Sequence, residues 1–204
     1  GLEMVQEFRV AGATLGAEFG GAAGGAVNVV TRSGSNIWHG DATFFAQNEA
    51  VNARNPEVTS GRRPRFRRTQ PGVSLYGPLR PDRTFFATAL EQEWESSEEW
   101  SEAPAEAVED INRALARPDF ARSEVRSIAR GLFPTQDVGT EFLFKLNHQL
   151  SQVHALSARY AFSRGRVAGD VQGLDNFADR SARAGSLTRD HSFVASWTSV
   201  PRPH

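Results

Sequence analysis

Alternation of apolar and polar side chains with period two recurs in six separate segments of this 204-residue chain. Near residue 40, for example, Trp38, Ala42 and Phe44 fall on one side, and Asp41 and Thr43 fall on the other. Successive side chains of a β-strand point to opposite faces, so this period is typical of a half-buried strand. The same pattern returns near residues 73–76, 86–95, 142–147, 154–163 and 192–198. We therefore predict a mainly β fold, an antiparallel meander of about six strands.

The links between these segments alternate between short and long. Residues 77–83 join the second and third segments and residues 147–152 join the fourth and fifth, whereas the other links cover about residues 48–68, 96–137 and 165–189. Outer-membrane barrels have short periplasmic turns and longer extracellular loops. A soluble sandwich has no reason to sort its loops by length in this way. The alternation therefore favours part of a large transmembrane β-barrel.

The longest link contains two short patterns of helical period. The first begins near Pro104, which suits a first helical turn, and places Val108 and Leu115 on one face. The second carries Ile128 and ends at Gly131, a residue suited to the position after a helix. We expect short helices near residues 101–131, in an extracellular loop.

Composition and spacing argue against several other classes of protein. The net charge of −1 gives no overall field that would attract nucleic acid. The absence of cysteine excludes a disulfide framework, thiolate metal sites and a cysteine nucleophile. The five histidines lack metal-binding spacing, and no GxSxG motif or credible Ser/His/Asp set occurs. We expect no enzymatic activity, no cofactor, no metal and no nucleic-acid partner.

Four blocks of sequence, in a fixed order, carry a resemblance to a known family. They are VQEFRV (5–10), AEFGGAAGGAVNVVTRSGSNIWHGDATFF (17–45), FRRTQPGVSLYGPLRPDRTFFATALE (66–91) and FKLNHQLSQVHALSARYAFS (144–163). They resemble the TonB-dependent outer-membrane receptors and, within them, the Oar-like subgroup, whose plug ends in a similar glycine-rich stretch. The resemblance implies that residues 1–34 are the C-terminal end of a plug domain and that residues 35–204 are the first barrel strands.

The resemblance implies a fragment of a transporter that binds and imports a ligand through a plugged barrel. Its location would be the outer membrane of a Gram-negative bacterium. Its partners would be outer-membrane lipid, an unknown ligand and, through a missing N-terminal part, the TonB energy-transducing complex. Two alternatives stay open: a passive outer-membrane channel or surface-binding barrel, and, less favoured, a soluble antiparallel β binding module.

Two groups of residues are candidate sites inside such a barrel. Small residues near the end of the plug would let its backbone approach the wall; the junction candidates are Gly24, Gly25, Asn28, Arg32 and Gly34. Charged residues that alternate with outward Phe86 and Leu90, or share that geometry on later strands, would face the lumen. These candidate ligand contacts are Glu91, Glu93, Lys145 and Arg159.

A third candidate site is a run of arginines in the first long link. Arginine pairs bidentately with phosphate, so the run could contact lipopolysaccharide or another anion. A solvated loop kept soluble by its charge is the simpler explanation. The residues are Arg62, Arg63, Arg65, Arg67 and Arg68.

Three structural expectations follow from the barrel interpretation. Six strands cannot close around a plug, so the sheet should be open, with unpaired edges and with residues 1–34 on its inner face or loose. The apolar run Ala26–Val30 is expected to be a buried strand of the plug. The tryptophans could contribute to an interfacial belt; they are Trp38, Trp94, Trp100 and Trp197.

Overall fold

The fold consists of a two-stranded hairpin, a six-stranded sheet and one helix. A computed structural model describes residues 5–11, 26–53, 63–101, 103–122, 124–125, 127–170, 179 and 182–200. Its elements are β1 Val5–Ala11, β2 Ala26–Thr31, β3 His39–Asn48, β4 Phe66–Arg80, β5 Thr84–Trp100, α1 Ala105–Leu115, β6 Leu132–Gln149, β7 His154–Asp170 and β8 Ala184–Ser199. No helix in these ranges is long and apolar enough to cross a membrane.

Strands β3 to β8 form one sheet in sequential order, and every neighbouring pair is antiparallel. The predicted six-stranded antiparallel meander is therefore confirmed. Among the described strands, β3 and β8 each have one neighbour, so the sheet is open, as expected. Strands β1 and β2 form a separate antiparallel hairpin.

Strand register divides the sheet into two faces of different chemistry. One row of directly opposite residues runs Val73, Leu90, Phe142, Phe162, and the adjacent row on the other side runs Gly72, Glu91, Glu141, Ser163. We call the first side the apolar face; it includes Phe44, Leu75, Leu90, Phe144, Phe193 and Trp197. We call the second side the polar face; it includes Asp41, Glu91, Glu93, Glu141, Lys145, Arg159 and Asp190.

The strands are longer than the apolar–polar alternation predicted. Strand β4 continues to Arg80, so the turn that was expected over residues 77–83 contains only residues 81–83, with Asp82 at φ 59°. Pro78 lies inside the strand, next to an irregularity in register. Proline has no backbone N–H, and at such an irregularity this N–H is not needed for strand pairing. Likewise, β6 runs to Gln149 and leaves a turn of residues 150–153.

At the opposite end of the sheet, the long links also begin later than predicted. Strand β5 continues to Trp100 and includes Glu98 and Glu99, so the link expected over 96–137 contains residues 101–131. Strands β4 to β8 have 15 to 18 residues each. A membrane crossing needs only about 9–11 residues. The strands therefore extend past the apolar band, where period-two hydrophobicity no longer marks them.

The predicted helical loop is partly confirmed. Helix α1 begins after Pro104, and it buries Val108. The second predicted helix is wrong for the described residues: 118–120 form a 3-10 turn, and 124–125 and 127–130 are not helical. Asn112 of α1 explains the absence of a helix there, because its side chain hydrogen-bonds the backbone N–H and C=O of Ile128 at 2.7 and 2.9 Å and so takes up the groups that a helix would pair.

The expectation of a buried strand at Ala26–Val30 is wrong for the side chains described. Residues 26–31 do form a strand, but the Val29 side chain is 38% exposed and Val30 is half-buried. A hairpin of two strands has only one partner sheet to cover it, so its other side stays in solvent.

Candidate functional site

The end of the hairpin β1–β2, at Val5 and Thr31, lies against the polar face, and so does the start of the linker that follows it, residues 32–38. Lys145 of β6 donates to the backbone oxygen of Thr31 at 3.3 Å and to the Ser33 hydroxyl at 2.9 Å. Arg32 donates to the Tyr76 hydroxyl at 3.0 Å. The linker is thus held by side chains from two different strands, β4 and β6.

Arg32 has further contacts on the same strands. Its guanidinium lies 3.8 Å from the Asp41 carboxylate and 5.9 Å from the centre of the Tyr76 ring. The Ser74 hydroxyl donates to the same Asp41 oxygen at 3.3 Å. A half-exposed ion pair of this kind contributes little by itself, but it fixes the orientation of Arg32 against the wall.

Gly34 packs directly on the backbone of the sheet. A Cβ atom at this position would lie 2.5 Å from the carbonyl oxygen of Phe86, 2.7 Å from that of Gly77 and 2.9 Å from the Cβ of Phe85. Only glycine permits so close an approach. After Phe86 on the same strand come Ala87 and Ala89, which form a buried hydrophobic cluster with Tyr76 and Leu143 packed against it.

The far end of the linker is bound to the turn between β4 and β5. The Asn36 amide donates to the Asp82 carboxylate at 2.6 Å, and its oxygen accepts from the Asp82 backbone N–H at 2.8 Å. Trp38 then packs on the opposite side of the sheet, edge-to-face with Phe86 at 5.3 Å and against Gly77. The chain thus passes from the polar face, around the short-turn end, into β3.

A cavity of about 230 Å³ lies between the hairpin and the polar face. Val5 and Thr31 line it from the hairpin, and most of the remaining lining is apolar or small. Its charged residues are all acidic: Glu91, Glu141 and Asp190. The Gln70 amide donates to Glu91 at 2.8 Å, and Glu141 lies directly opposite Glu91. The site can offer hydrogen-bond acceptors and negative charge to a ligand beside an apolar surface.

The four predicted lumen-facing residues all lie on the polar face, but they do not form one cluster. Glu91 lines the cavity, while Glu93 forms an ion pair with Arg68 at 2.8 Å. Lys145 binds the linker, and Arg159 lies directly opposite it on β7. Each of these charges has a separate role, so their binding of a transported ligand stays a prediction.

The other predicted site residues are dispersed. Of the junction set, Arg32 and Gly34 make the contacts described above, Asn28 lies in β2 with its side chain outside the described part, and Gly24 and Gly25 lie outside the described residues. Of the arginine run, Arg62 also lies outside them. Arg63 donates to the backbone oxygen of Asn52 at 2.6 Å and Arg65 precedes β4. Arg67 and Arg68 are in β4, on opposite faces, and not in a loop.

Several residues of the site were missed by the sequence reasoning. Tyr76, Asp41 and Asp82 bind the linker, and Glu141 and Asp190 line the cavity. Strand parity already placed Glu141 on the side of Lys145, so that signal was present. The Asn36–Asp82 contact had no comparable signal, because 46 residues separate the two. In the described residues, no group of three His, Asp or Glu side chains is arranged to hold a metal ion.

On the apolar face, large side chains lie in the open. Phe44 is 68%, Phe193 71% and Trp197 66% exposed. Trp38 and Trp197 lie toward the short-turn end and Trp94 toward the long-link end, with the apolar rows between them. A soluble protein rarely exposes so continuous an apolar surface, whereas a barrel presents an apolar band flanked by aromatic residues to lipid.

Comparison with known proteins agrees with this architecture. The model of a family described as outer membrane beta barrel domain matches residues 30–108, from the end of β2 into α1. No curated protein and no solved structure gave a match to the chain. The family match and the six-stranded antiparallel sheet together support an outer-membrane β-barrel protein, which points to the outer membrane of a Gram-negative bacterium.

Proposed function

We propose that this chain is part of a TonB-dependent outer-membrane transporter of the Oar-like type, with the hairpin β1–β2 as the end of its plug. The observation that carries the proposal is the docking of the hairpin and linker on the polar face. Lys145 binds Thr31 and Ser33, Arg32 binds Tyr76, and Gly34 packs on the backbone of β4 and β5. A plugged barrel requires a segment that is held against the inner face of its wall.

The open edges of the sheet support a larger barrel. Strands β3 and β8 each leave one row of backbone N–H and C=O groups unpaired in the described sheet. Such groups are costly in hydrocarbon, where no water can satisfy them. Further strands that pair with these edges would close the wall and leave room for the hairpin inside it.

The two other interpretations explain less of the structure. A soluble β module would expose the large apolar face to water, which is unfavourable. A passive channel gives no role to the hairpin, whose end at Val5 and Thr31 lies on the face that would line the pore. Neither alternative accounts for the linker contacts of Arg32 and Lys145.

In the proposed mechanism, force from the inner membrane reaches the hairpin through the segment that precedes it, by way of the TonB complex. Displacement of the hairpin from the cavity would open a path along the polar face. The chain carries out no covalent chemistry and needs no cofactor in this scheme. Glu91, Glu93, Lys145 and Arg159 are proposed contacts of the ligand, and Arg63, Arg65 and Arg67 are proposed contacts of an anion outside the barrel.

Energy coupling can be tested without knowledge of the ligand. Residues 1–204 contain no cysteine, so once any cysteine elsewhere in the full-length protein is replaced, a single Val5→Cys substitution gives one thiol, at the cavity between hairpin and wall. In cells that produce the full-length protein, a membrane-impermeant maleimide should label this thiol more slowly when the proton gradient is collapsed. Ser196→Cys, at the short-turn end of β8, is the matched control and should be labelled at the same rate in both conditions.

The outcomes separate the three interpretations. Equal labelling of Val5→Cys with and without the gradient would argue for a passive barrel. Full labelling in a soluble fraction, without detergent, would argue for a soluble module.

A further inference from the structure

Three arginines that no site described above uses lie together on the apolar face. Arg164 and Arg166 are in β7 and Arg189 is in β8, and all three are exposed. Arg164 lies directly opposite Arg189, while Arg166 lies directly opposite Leu187. Side chains directly opposite on antiparallel strands have Cβ atoms about 4.5–5.5 Å apart, and residues i and i+2 of one strand lie on the same face, about 7 Å apart.

The arrangement concentrates positive charge without a counter-charge from the sheet. Two like charges directly opposite on neighbouring strands destabilise their pairing. The neighbouring positions on the same face carry no carboxylate; they are Val138, Thr140, Phe162, Ala168, Leu187 and His191. Within the described residues, no ion pair to a carboxylate involves any of the three arginines. An anion from outside the sheet would remove this repulsion.

The position of the cluster identifies the kind of anion. From His154 to Phe162, nine residues of β7 carry the apolar band, and Arg164 is the next residue on the same face. Directly below the cluster lies an aromatic group in which the Tyr160 hydroxyl is 2.8 Å from His191 Nδ1, and the Phe162 and His191 rings are 5.0 Å apart. The arginines therefore lie at the edge of the band, on the side of the long links.

We propose that Arg164, Arg166 and Arg189 bind the phosphate of a lipid headgroup in the outer leaflet, with the acyl chains of that lipid on Tyr160, Phe162 and Phe193. Guanidinium groups bind phosphate bidentately, and the aromatic surface beneath suits acyl chains. The inference rests on the outer-membrane placement of the sheet, in which the long links are extracellular. It does not depend on energy coupling.

The arginine run near residue 65 lacks this geometry. Arg68 is bound to Glu93 on the polar face, and Arg63 is bound to the backbone of Asn52. Arg67 is on the apolar face but lies on β4, three strands away from β7. The cluster on β7 and β8 is thus a separate site from the one that the sequence predicted.

The test measures binding of lipid A to the full-length protein purified from outer membranes in a neutral detergent. The triple variant R164Q/R166Q/R189Q should weaken binding on the order of 100-fold, if each arginine contributes as a basic residue does near an anionic membrane surface. The matched control R80Q/R83Q/R117Q removes three exposed arginines elsewhere and should bind lipid A as the wild type does. Dephosphorylated lipid A should bind both triple variants and the wild type equally weakly.

Further arms make each result decisive. The variant R164K/R166K/R189K keeps the charge but not the bidentate geometry, so its affinity should fall between those of the wild type and the glutamine variant; it also serves if the glutamine variant does not assemble. Unchanged binding by the glutamine variant, an equal loss in the control, or displacement of lipid A by millimolar inorganic phosphate would overturn the inference. If the wild-type protein lies in the outer membrane but does not prefer phosphorylated lipid, only this inference is overturned. If the wild-type protein is absent from the membrane, both this inference and the proposed function are overturned.

Discussion

The two faces of the six-stranded sheet are made from the same strands, yet they hold different partners. On the polar face, the linker is fixed by a few specific contacts, from Arg32, Gly34 and Lys145. On the apolar face, large side chains such as Phe44 and Phe193 are mostly exposed. Specific polar contacts suit a folded segment of protein, and a broad apolar surface suits a fluid, so the difference indicates a wall between protein and lipid.

The largest expected effect comes from a charge placed on the apolar face. Phe193→Arg should destabilise the protein in phospholipid vesicles by about 2–4 kcal/mol, as is found for arginine near the midplane of a bilayer. Ser196→Arg is the matched control, three residues away on the polar face and opposite Ser157, and should change the free energy of unfolding little. Chemical denaturation in vesicles measures both; equal effects of the two would mean that the faces are not distinguished by lipid.

A methyl group at the closest approach of the linker should have the next largest effect. Gly34→Ala places a Cβ 2.5 to 2.9 Å from atoms of β4 and β5, so the linker must move away from the wall. Overpacking of this kind costs about 1–3 kcal/mol, and protease cleavage of the hairpin should become faster. Gly165→Ala is the control, since nothing lies within 4 Å of its added Cβ. Unchanged proteolysis of the Gly34 variant would contradict the docking described here.

Removal of the lysine that holds the linker should have a smaller effect. Lys145→Met deletes the bonds to Thr31 and Ser33, at about 1 kcal/mol in total. Part of this loss is offset, because the repulsion from Arg159 directly opposite also disappears. Arg159→Met relieves the same repulsion and leaves the bonds intact, so it serves as the control. Hydrogen exchange of the linker amides should accelerate only in the Lys145 variant.

The smallest effect concerns the edge of the sheet near the first long link. Hydrogen bonds from its own backbone N–H and from that of Phe66 lower the pKa of Glu49, with smaller contributions from Arg65 and Arg63. Because the pKa is lower in the folded state, the carboxylate stabilises the fold at pH values above its ordinary pKa of 4.5. This stabilisation is lost as the pH falls through the folded-state pKa. Glu49→Gln should therefore be slightly less stable than the wild type at pH 7, with a difference that vanishes at low pH. A difference that grows on acidification would contradict this assignment.

The sheet was predictable from the sequence because a strand with one apolar and one polar face alternates apolar and polar residues with a period of two. His39 to Gln47 and His154 to Phe162 alternate clearly, and both lie in strands. Beyond the band, Glu98 and Arg166 are also in strands, but at that level one face of the sheet meets water and the other meets polar groups. Hydrophobic alternation is absent there, so the sequence predicts long links that include the ends of the strands.

The candidate site was only partly predictable, for a related reason. Parity placed Glu91, Glu93, Lys145 and Arg159 on one face, but it carries no information about which of them meet. The contacts of Arg68 with Glu93 and of Asn36 with Asp82 depend on register between distant segments. The helix expected around Ile128 does not form because Asn112, a residue of another element, hydrogen-bonds the backbone N–H and C=O that a helix would use.

The most direct test of the account is a scan of spin-labelled single cysteines along β7, from Leu156 to Phe162, in the full-length protein in lipid bilayers. Residues 1–204 contain no cysteine, so with any cysteine elsewhere in the protein replaced, each variant carries one label. At Leu156, Ala158, Tyr160 and Phe162, collision with oxygen should exceed collision with a water-soluble nickel complex, and the reverse should hold at Ser157, Arg159 and Ala161. A profile without this period of two, or one in which every position is reached by the nickel complex, would contradict a sheet with lipid on one face and the hairpin on the other.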